Sequence, residues 1–255
     1  ALFAGLLTKV GIYSLIRIYT LFLYHYDYFW NPIIMWLGIL SMVIGVITAT
    51  SQYDFRKILS FHIISQVGYV VIGLAFFTIS GLAAAIFFLG HNMISKTNTF
   101  LVAGWVHKEK NTLNLKVLGE MFTKNTLWGV LFFISAFSLA GLPPLSGFAA
   151  KYLIIKAGIE ADKTGIALAA LFVGLFTLFS MIKIWLEVFW KNAPKDENEE
   201  TPEKPKSYPF MLTGSIMLAV SIIVMGIFAG PIYTFCEEAA RNLLNVQEYI
   251  KFVLG

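Results

Sequence analysis

Three lysines stand inside stretches of this sequence that are otherwise apolar. Lys9 lies in GLLTKVGIYSLIR, Lys96 lies in FFLGHNMISKTNTFL, and Lys151 follows the proline-interrupted stretch SLAGLPPLSGFAA. A lysine at the centre of a bilayer costs about 2.5–3.5 kcal/mol on insertion scales. We therefore expect each ammonium to face the protein interior or water, with partners. The alternative is a lysine whose stem lies in the membrane while its charge snorkels to the interface.

Polar side chains recur at helical spacing beside these lysines. His62 and Gln66 are four residues apart, as are Asn92 and Lys96, and His91 stands next to Asn92. Residues four apart share a helix face. Two facing helices would therefore place imidazoles, amides and an ammonium in one continuous row of polar side chains. Histidine exchanges protons near neutral pH, and a lysine held away from water can do so as well. The pattern indicates a proton relay; the alternative is that the histidines only hydrogen-bond neighbouring helices.

The stretch GLPPLSG, from Gly141 to Gly147, interrupts an apolar segment. Proline lacks a backbone donor and clashes with the preceding turn. Backbone groups freed at membrane depth are tolerated only inside protein or along a water-filled cavity. The interruption therefore predicts a broken membrane helix with hydrated space at the break, where Lys151 would load and release a proton. The alternative is a simple proline kink with a lysine that reaches the outer surface.

The composition places these residues in a membrane protein. Of 255 residues, 58% are hydrophobic and only 13% are charged, whereas a soluble domain carries about 25% charged residues. A helix needs about 20 mostly apolar residues to span a bilayer. The predicted fold class is therefore all-α and polytopic, with about seven transmembrane helices. These span residues 1–23, 31–50, 55–78, 81–106, 126–158 (the interrupted helix), 164–190 and 208–231.

Two remaining segments are predicted to lie outside the spans. Residues 191–207, KNAPKDENEETPEKPKS, are charged and proline-bearing and indicate a solvated loop. Residues 232–255 alternate apolar and charged side chains at helical spacing. This second pattern is typical of an amphipathic helix that lies at the membrane interface.

Basic residues are distributed unequally between alternate loops. The loops after the first, third and fifth spans hold only Lys163. Loops rich in lysine and arginine stay in the cytoplasm, so the even-numbered loops are predicted to be cytoplasmic and the C-terminal tail to lie outside. The even-numbered loops hold Arg56, Lys57, Lys108, Lys110, Lys116, Lys124, Lys191, Lys195, Lys204 and Lys206.

Four stretches, taken in order, resemble a known family of membrane proteins. They are GLLTKVGIYSLIR, SQYDFRKILSFHIISQVGYV, GHNMISKTNTFL and AGLPPLSGFAAKYLI. The set is similar to the second half of the antiporter-like subunits shared by Mrp-type monovalent cation/proton antiporters and respiratory complex I. Within that family it is most similar to the D-type subunits of the Mrp group. The resemblance covers essentially the whole chain.

The resemblance implies a division of the chain into three parts. Family members have fourteen core helices, of which this chain would supply helices eight to fourteen. Residues 1–158 would form the second inverted repeat, with its broken helix at 126–158. Residues 159–231 would add two C-terminal transmembrane helices, and residues 232–255 would form the amphipathic interfacial tail. The sequence begins at Ala1 inside an apolar run, so a preceding half is expected.

The resemblance also implies which residues carry protons. Lys9, Lys96 and Lys151 match ionisable positions on the eighth, eleventh and broken twelfth helices of family members. Between them, these lysines would form the half-channel that opens to the outside. The predicted proton path runs from Lys9 through the cluster of His62, His91 and Lys96 to Lys151.

Two positions depart from the family pattern. The position four residues before Lys96, where family members often carry a histidine, holds Asn92. A histidine of some complex I members on the tenth helix falls at Gln66. An amide does not exchange protons at neutral pH, so at the Asn92 position either His91 or ordered water would take the role.

The implied function is proton translocation by one subunit of a multi-subunit Na⁺/H⁺ antiporter in the cell membrane, and not a stand-alone enzyme. Its partners would be the missing N-terminal half, the other subunits of an Mrp-type complex and the lipid bilayer, with protons and Na⁺ as transported ions. No cofactor, metal or nucleic acid is expected. The alternative is an antiporter-like proton-pumping subunit of a redox-driven complex, either complex I or a membrane-bound hydrogenase. A weaker alternative is a scaffold half-subunit without conduction.

Overall fold

The computed structural model describes residues 3–23, 26–192 and 208–254. Within these ranges the chain is helical, as predicted, and the only β feature is an isolated bridge between Asp54 and Asn114. Most of the predicted solvated loop, residues 193–207, lies outside the described residues. The helices are α1 Thr8–Phe22, α2 Asp27–Ser51, α3 Phe55–Ala75, α4 Ile79–Lys110, α5 Met121–Lys124, α6 Thr126–Ala140, α7 Ser146–Glu160, α8 Thr164–Ile184, α9 Pro209–Ile227, α10 Ala229–Leu244 and α11 Val246–Leu254.

π-Helical segments extend two of these helices. Phe3–Leu7 leads directly into α1, and Trp185–Trp190 continues α8. With these extensions, five helices of the described chain are long and apolar enough to cross a membrane. Their spans are Gly5–Phe22, Tyr28–Ser51, Phe55–Ala75, Thr164–Trp190 and Pro209–Ile227. The two remaining predicted spans correspond to α4 and to the broken pair α6–α7.

Helix α4 is the centre of the bundle. It is 32 residues long and contacts α3, α6, α7, α9 and α10. Because protein surrounds it on several sides, its middle can carry polar side chains that lipid would not accept. Its start is fixed by Thr78, whose hydroxyl accepts a hydrogen bond from the Gly81 N–H at 3.1 Å.

The predicted break lies between α6 and α7. Helix α6 ends at Gly141, which adopts the left-handed backbone (φ 94°) and donates its N–H to the carbonyls of Phe137 and Ser138. The chain then passes through Pro143 and Pro144 and re-enters a helix at Ser146. The break predicted from the two prolines is thus present at the predicted place.

The C-terminal tail is helical, as predicted. Helix α10 starts at Ala229, only two residues after α9 ends, and buries Cys236 and Ala240. It packs against α4. The Arg17 guanidinium lies 4.6 Å from the ring centroid of Tyr249, which connects α11 to α1. The position of the tail relative to the membrane stays a prediction.

Candidate functional site

Lys96 is fully buried in the middle of α4. Its Nζ donates to the carbonyl oxygen of Leu59 on α3 at 3.2 Å. Both ion pairs found between described residues, Lys156–Glu160 and Lys191–Glu187, lie elsewhere. Lys96 is therefore held by a neutral carbonyl, and no carboxylate in the described part of the chain compensates its charge. Neither packing nor an ion pair among these residues explains its presence.

Lys151 lies beside the helix break, as predicted. Its Nζ donates to the carbonyl oxygen of Ala140, the last residue of α6, at 2.7 Å. The carbonyl end of a helix carries partial negative charge that attracts a cation. The Lys151 Nζ also lies 5.9 Å from the ring centroid of Tyr69, whose hydroxyl donates to the carbonyl oxygen of Ala170 at 2.6 Å. The C-terminal end of α6 thus binds the ammonium that α7 carries.

Lys9 is the second residue of α1, directly after the π-helical segment Phe3–Leu7. It is buried, with 6% of its surface exposed. Its Nζ donates to the Thr8 hydroxyl at 3.2 Å, and it lines a narrow cavity together with Gln66 and Asn92. The structure therefore brings Lys9 next to the amides Gln66 and Asn92.

His91 is connected to the helix break by a chain of hydroxyl groups. Its Nδ1 lies 2.8 Å from the Ser146 Oγ and 3.2 Å from the Ser95 Oγ. The Ser146 Oγ lies 3.3 Å from the Ser138 Oγ, which in turn accepts the Gly147 N–H at 3.2 Å. Ser138 and Ser146 are not among the residues predicted from the sequence. Their position on either side of the double proline was the available signal.

His62 is fully buried on α3. Neither of its ring nitrogens has a hydrogen-bond partner among the described residues. Buried polar groups are almost always hydrogen-bonded to protein or to ordered water, so a buried imidazole without such a partner is unusual. The structure does not show His62 merely hydrogen-bonded to a neighbouring helix.

The five predicted site residues form one interacting group across four helices. Lys96 and Lys151 both interact electrostatically with His62 and His91, and Lys9 interacts with Lys96. Helices α1, α3, α4 and α7 supply these residues. Lysine and imidazole side chains both gain and lose protons, so these residue types are suited to a proton relay. Across the described ranges, no three His, Cys, Asp or Glu side chains are grouped as a metal site would require.

Comparison with protein families gives one match that covers most of the chain. Residues 1–177 match the family described as NADH:quinone oxidoreductase/Mrp antiporter, TM. The matched range contains all five candidate residues and the helix break.

Comparison with individual proteins gives relatives about twice as long as this chain. The D subunit of a Na⁺/H⁺ antiporter of Alkalihalophilus pseudofirmus is 42% identical over 254 residues, which are 100% of this chain and 51% of the relative. A chain in the structure of the Mrp complex from Dietzia sp. is 30% identical, with a TM-score of 0.88, over 99% of this chain and 54% of that one. A chain of respiratory complex I from Thermus thermophilus is 25% identical, with a TM-score of 0.66, over 80% of this chain and 45% of that one.

Proposed function

Because the chain belongs to the NADH:quinone oxidoreductase/Mrp antiporter family, we propose that it is the second half of a proton-translocating subunit of a multi-subunit Na⁺/H⁺ antiporter. The observation that carries the proposal is the pair of buried lysines, Lys96 and Lys151, each held by one backbone carbonyl and paired with no carboxylate of the described residues. Such a lysine is costly as a structural element. It is useful as a group that gains and loses a proton.

The proposed proton path follows the order of the buried groups. A proton moves between Lys9 and the cluster of His62, His91 and Lys96, then to Lys151 at the break, and from there to the outside. Like charges repel over short distances in a medium of low dielectric constant. A proton on one lysine therefore pushes the next one onward, and charge moves stepwise.

The chain spans about half the length of the relatives it matches, so we propose that it works only within a larger assembly. Its partners are the N-terminal half of the subunit and the other subunits of an Mrp-type complex, and the ions exchanged are Na⁺ and H⁺. In this assembly the protein is a transporter subunit rather than a stand-alone enzyme.

We also propose an arrangement of the chain in the cell membrane. The described helices form a multi-pass bundle. Residues 1–158 form the second inverted repeat, residues 159–231 add two helices, and residues 232–255 form an interfacial tail. The even-numbered loops face the cytoplasm and the tail faces the outside, which agrees with the distribution of lysine and arginine.

The second candidate function is proton pumping in a redox-driven complex such as complex I or a membrane-bound hydrogenase. The observation that favours it is the likeness to a chain of respiratory complex I. The same buried groups would then be driven by redox chemistry in partner subunits. The higher identity to the antiporter relative of Alkalihalophilus pseudofirmus favours antiport.

The test compares two lysines of the same helix in the full assembly. Inverted membrane vesicles are acidified inside by respiration, sodium is added, and a pH-sensitive dye follows proton efflux. Lys151→Ala should abolish the sodium-induced efflux. Lys156→Ala should leave it unchanged, because Lys156 is exposed and forms only a surface ion pair with Glu160.

Either of two results would overturn the proposal. If a Lys151→Ala assembly exchanges ions at the native rate, the proton path does not pass through Lys151 at the break. A native assembly with no response to sodium would favour the redox-driven alternative, and iron–sulfur clusters in its partner subunits would then be sought.

A further inference from the structure

A groove of about 1260 Å³ lies between α2 and α8, at the end of the bundle where both helices begin. The opposite ends of the two helices are held together, because the Lys183 Nζ donates to the carbonyl oxygens of Thr50 and Gln52 at 3.1 and 2.7 Å. The groove is therefore the open end of a helix pair that is closed at its other end.

The groove reaches halfway along α2. Its lining residues on this helix run from Tyr28 to Ile39, and Ile39 is the middle residue of Asp27–Ser51. A rise of 1.5 Å per residue makes this stretch about 16 Å long. The hydrocarbon core of a bilayer is about 30 Å thick, so the groove has the depth of one lipid leaflet.

The walls of the groove are apolar along most of its length. Trp36 on α2 lines it and is 65% exposed, whereas Phe76 and Ile166 line it and are 8% exposed each. On α8 the small side chain of Ala169 leaves the space between the helices unfilled. Because this surface lies on a helix that is apolar enough to cross a membrane, its natural occupant is a hydrocarbon chain.

The outer end of the groove carries one charge of each sign. The turn between α7 and α8 supplies Asp162 and Lys163 to the lining, and both are exposed. Neither forms an ion pair with another described residue. The Lys163 N–H donates to the carbonyl oxygen of Gly158 at 2.8 Å, which fixes the turn. An ammonium and a carboxylate are thus presented side by side above an apolar groove.

We propose that this groove binds one phospholipid with an ethanolamine headgroup. The phosphate lies against the Lys163 ammonium, the primary ammonium of the headgroup donates to the Asp162 carboxylate, and one acyl chain follows α2 to Ile39. An anionic headgroup would pair with Lys163 alone and would face the Asp162 carboxylate. A choline headgroup has no N–H to donate. The charges at the end of the groove therefore match the zwitterionic headgroup.

A helix of a partner subunit fits this groove less well. A transmembrane helix needs the full thickness of the bilayer, whereas the groove ends at Ile39 and the helices are closed below by Lys183. A covering helix would also take Asp162 and Lys163 out of water, which is costly for charges without partners. A lipid keeps its headgroup and these two side chains hydrated.

The direct test is a density map of the full assembly in nanodiscs that contain phosphatidylethanolamine and phosphatidylglycerol in equal amounts. The expected result is one ordered lipid in the groove, with its phosphate within about 4 Å of the Lys163 Nζ and a chain that ends near Ile39. A protein helix in the groove, or a groove without ordered density, would overturn the proposal. The map needs no ion gradient, so its result is independent of whether the assembly exchanges sodium.

A crosslinking experiment compares two neighbouring residues of α8. The full assembly is placed in phosphatidylcholine nanodiscs with a phosphatidylethanolamine probe that carries a diazirine at the end of one acyl chain. Light should attach the probe to the peptide that contains Ile39. Ala169→Trp fills the groove and should abolish this product. Leu168→Trp should retain it, because Leu168 is 62% exposed and does not line the groove; equal labelling of the two variants would refute the site.

Competition with unlabelled lipids identifies the headgroup. In the native assembly, phosphatidylethanolamine should displace the probe at a lower mole fraction than phosphatidylglycerol. Asp162→Asn keeps a side chain that tolerates the left-handed backbone at this position (φ 56°) and should remove the difference. Lys163→Gln should weaken binding of the probe about threefold, whereas Lys156→Gln, outside the groove, should not. Stronger displacement by phosphatidylglycerol in the native assembly would overturn the assignment of the headgroup.

Discussion

At the scale of single residues, the cost of burying Lys96 supports the proposal that it has a functional role. Its ammonium is fully enclosed by the bundle and donates a hydrogen bond to the carbonyl oxygen of Leu59. Replacing a buried charge by an apolar group of similar shape is often neutral or stabilising. A residue kept for packing alone would not be a lysine.

The cost of the buried charge predicts opposite effects of Lys96→Met on stability and on transport. Methionine has nearly the length of lysine and needs no acceptor, so the thermal midpoint of the assembly should stay unchanged or rise. Proton exchange in vesicles should be lost, because methionine carries no proton. A clear fall in the midpoint together with native exchange would contradict both halves of the argument.

The sequence predicts which residues are buried but not which atoms they contact. Lys9, Lys96 and Lys151 could be identified because charge in an apolar stretch is visible in one dimension. The hydrogen bond of Lys151 could not be predicted, because its acceptor is the Ala140 carbonyl, and the position of a backbone carbonyl cannot be read from a sequence. Ser138 and Ser146 were not predicted, because serine is common in helix breaks for local reasons.

At the scale of elements, the broken pair has the lengths expected of one membrane crossing made of two short pieces. Helices α6 and α7 have 15 residues each, which is about 22 Å of helix, whereas the hydrocarbon core is about 30 Å thick. Neither piece crosses alone. Their contact at Gly147 is close, because a Cβ at this position would overlap the backbone carbonyl of Ser138 and meet the ring of His91.

The close contact predicts that Gly147→Ala disrupts the break. The added methyl meets backbone, which cannot move aside as a flexible side chain would, and overpacking of this kind costs about 1–3 kcal/mol. We expect a lower thermal midpoint and slower proton exchange, both measured on the purified assembly. Gly165→Ala is the control, because a Cβ there has no atom within 4 Å; equal behaviour of the two variants would refute the prediction.

The elements themselves could be largely predicted from apolar lengths, and the boundaries less well. Helix α2 starts at Asp27 rather than at residue 31, because Pro32 near its start removes only one hydrogen bond and does not end the helix. Helix α10 starts at Ala229 rather than at residue 232. The resemblance read from four stretches is confirmed by the family match, whereas the division into three parts stays a proposal.

At the scale of the whole molecule, the distribution of lysine and arginine predicts the orientation of the bundle. Both Lys163 and Thr123 are exposed. Lys163 follows the fifth predicted span, in an odd-numbered loop, and Thr123 follows the fourth, in an even-numbered loop. In intact cells, a membrane-impermeant maleimide should label Lys163→Cys and should not label Thr123→Cys. In inverted vesicles, the result should reverse. The same side labelled for both variants would refute the orientation.

The native cysteine does not interfere with this measurement. Cys236 is buried, and burial raises the pKa of its thiol to about 11. The reactive species toward maleimide is the thiolate, so at pH 7 Cys236 stays protonated and reacts slowly. The parent chain should remain unlabelled on both sides and serves as the control.

The polarity of α4 has a consequence for how the chain is synthesised. A segment that leaves the ribosome enters lipid from the translocon according to its own apolarity, and each polar residue near its centre counts against it. With His91, Asn92 and Lys96 in its middle, α4 enters poorly alone, whereas α3 and α9 enter readily. Its partners α6, α7, α9 and α10 are all made later. The centre of the finished bundle is therefore among the last parts to settle in the membrane, and a nascent chain that stops after α4 exposes its buried lysine.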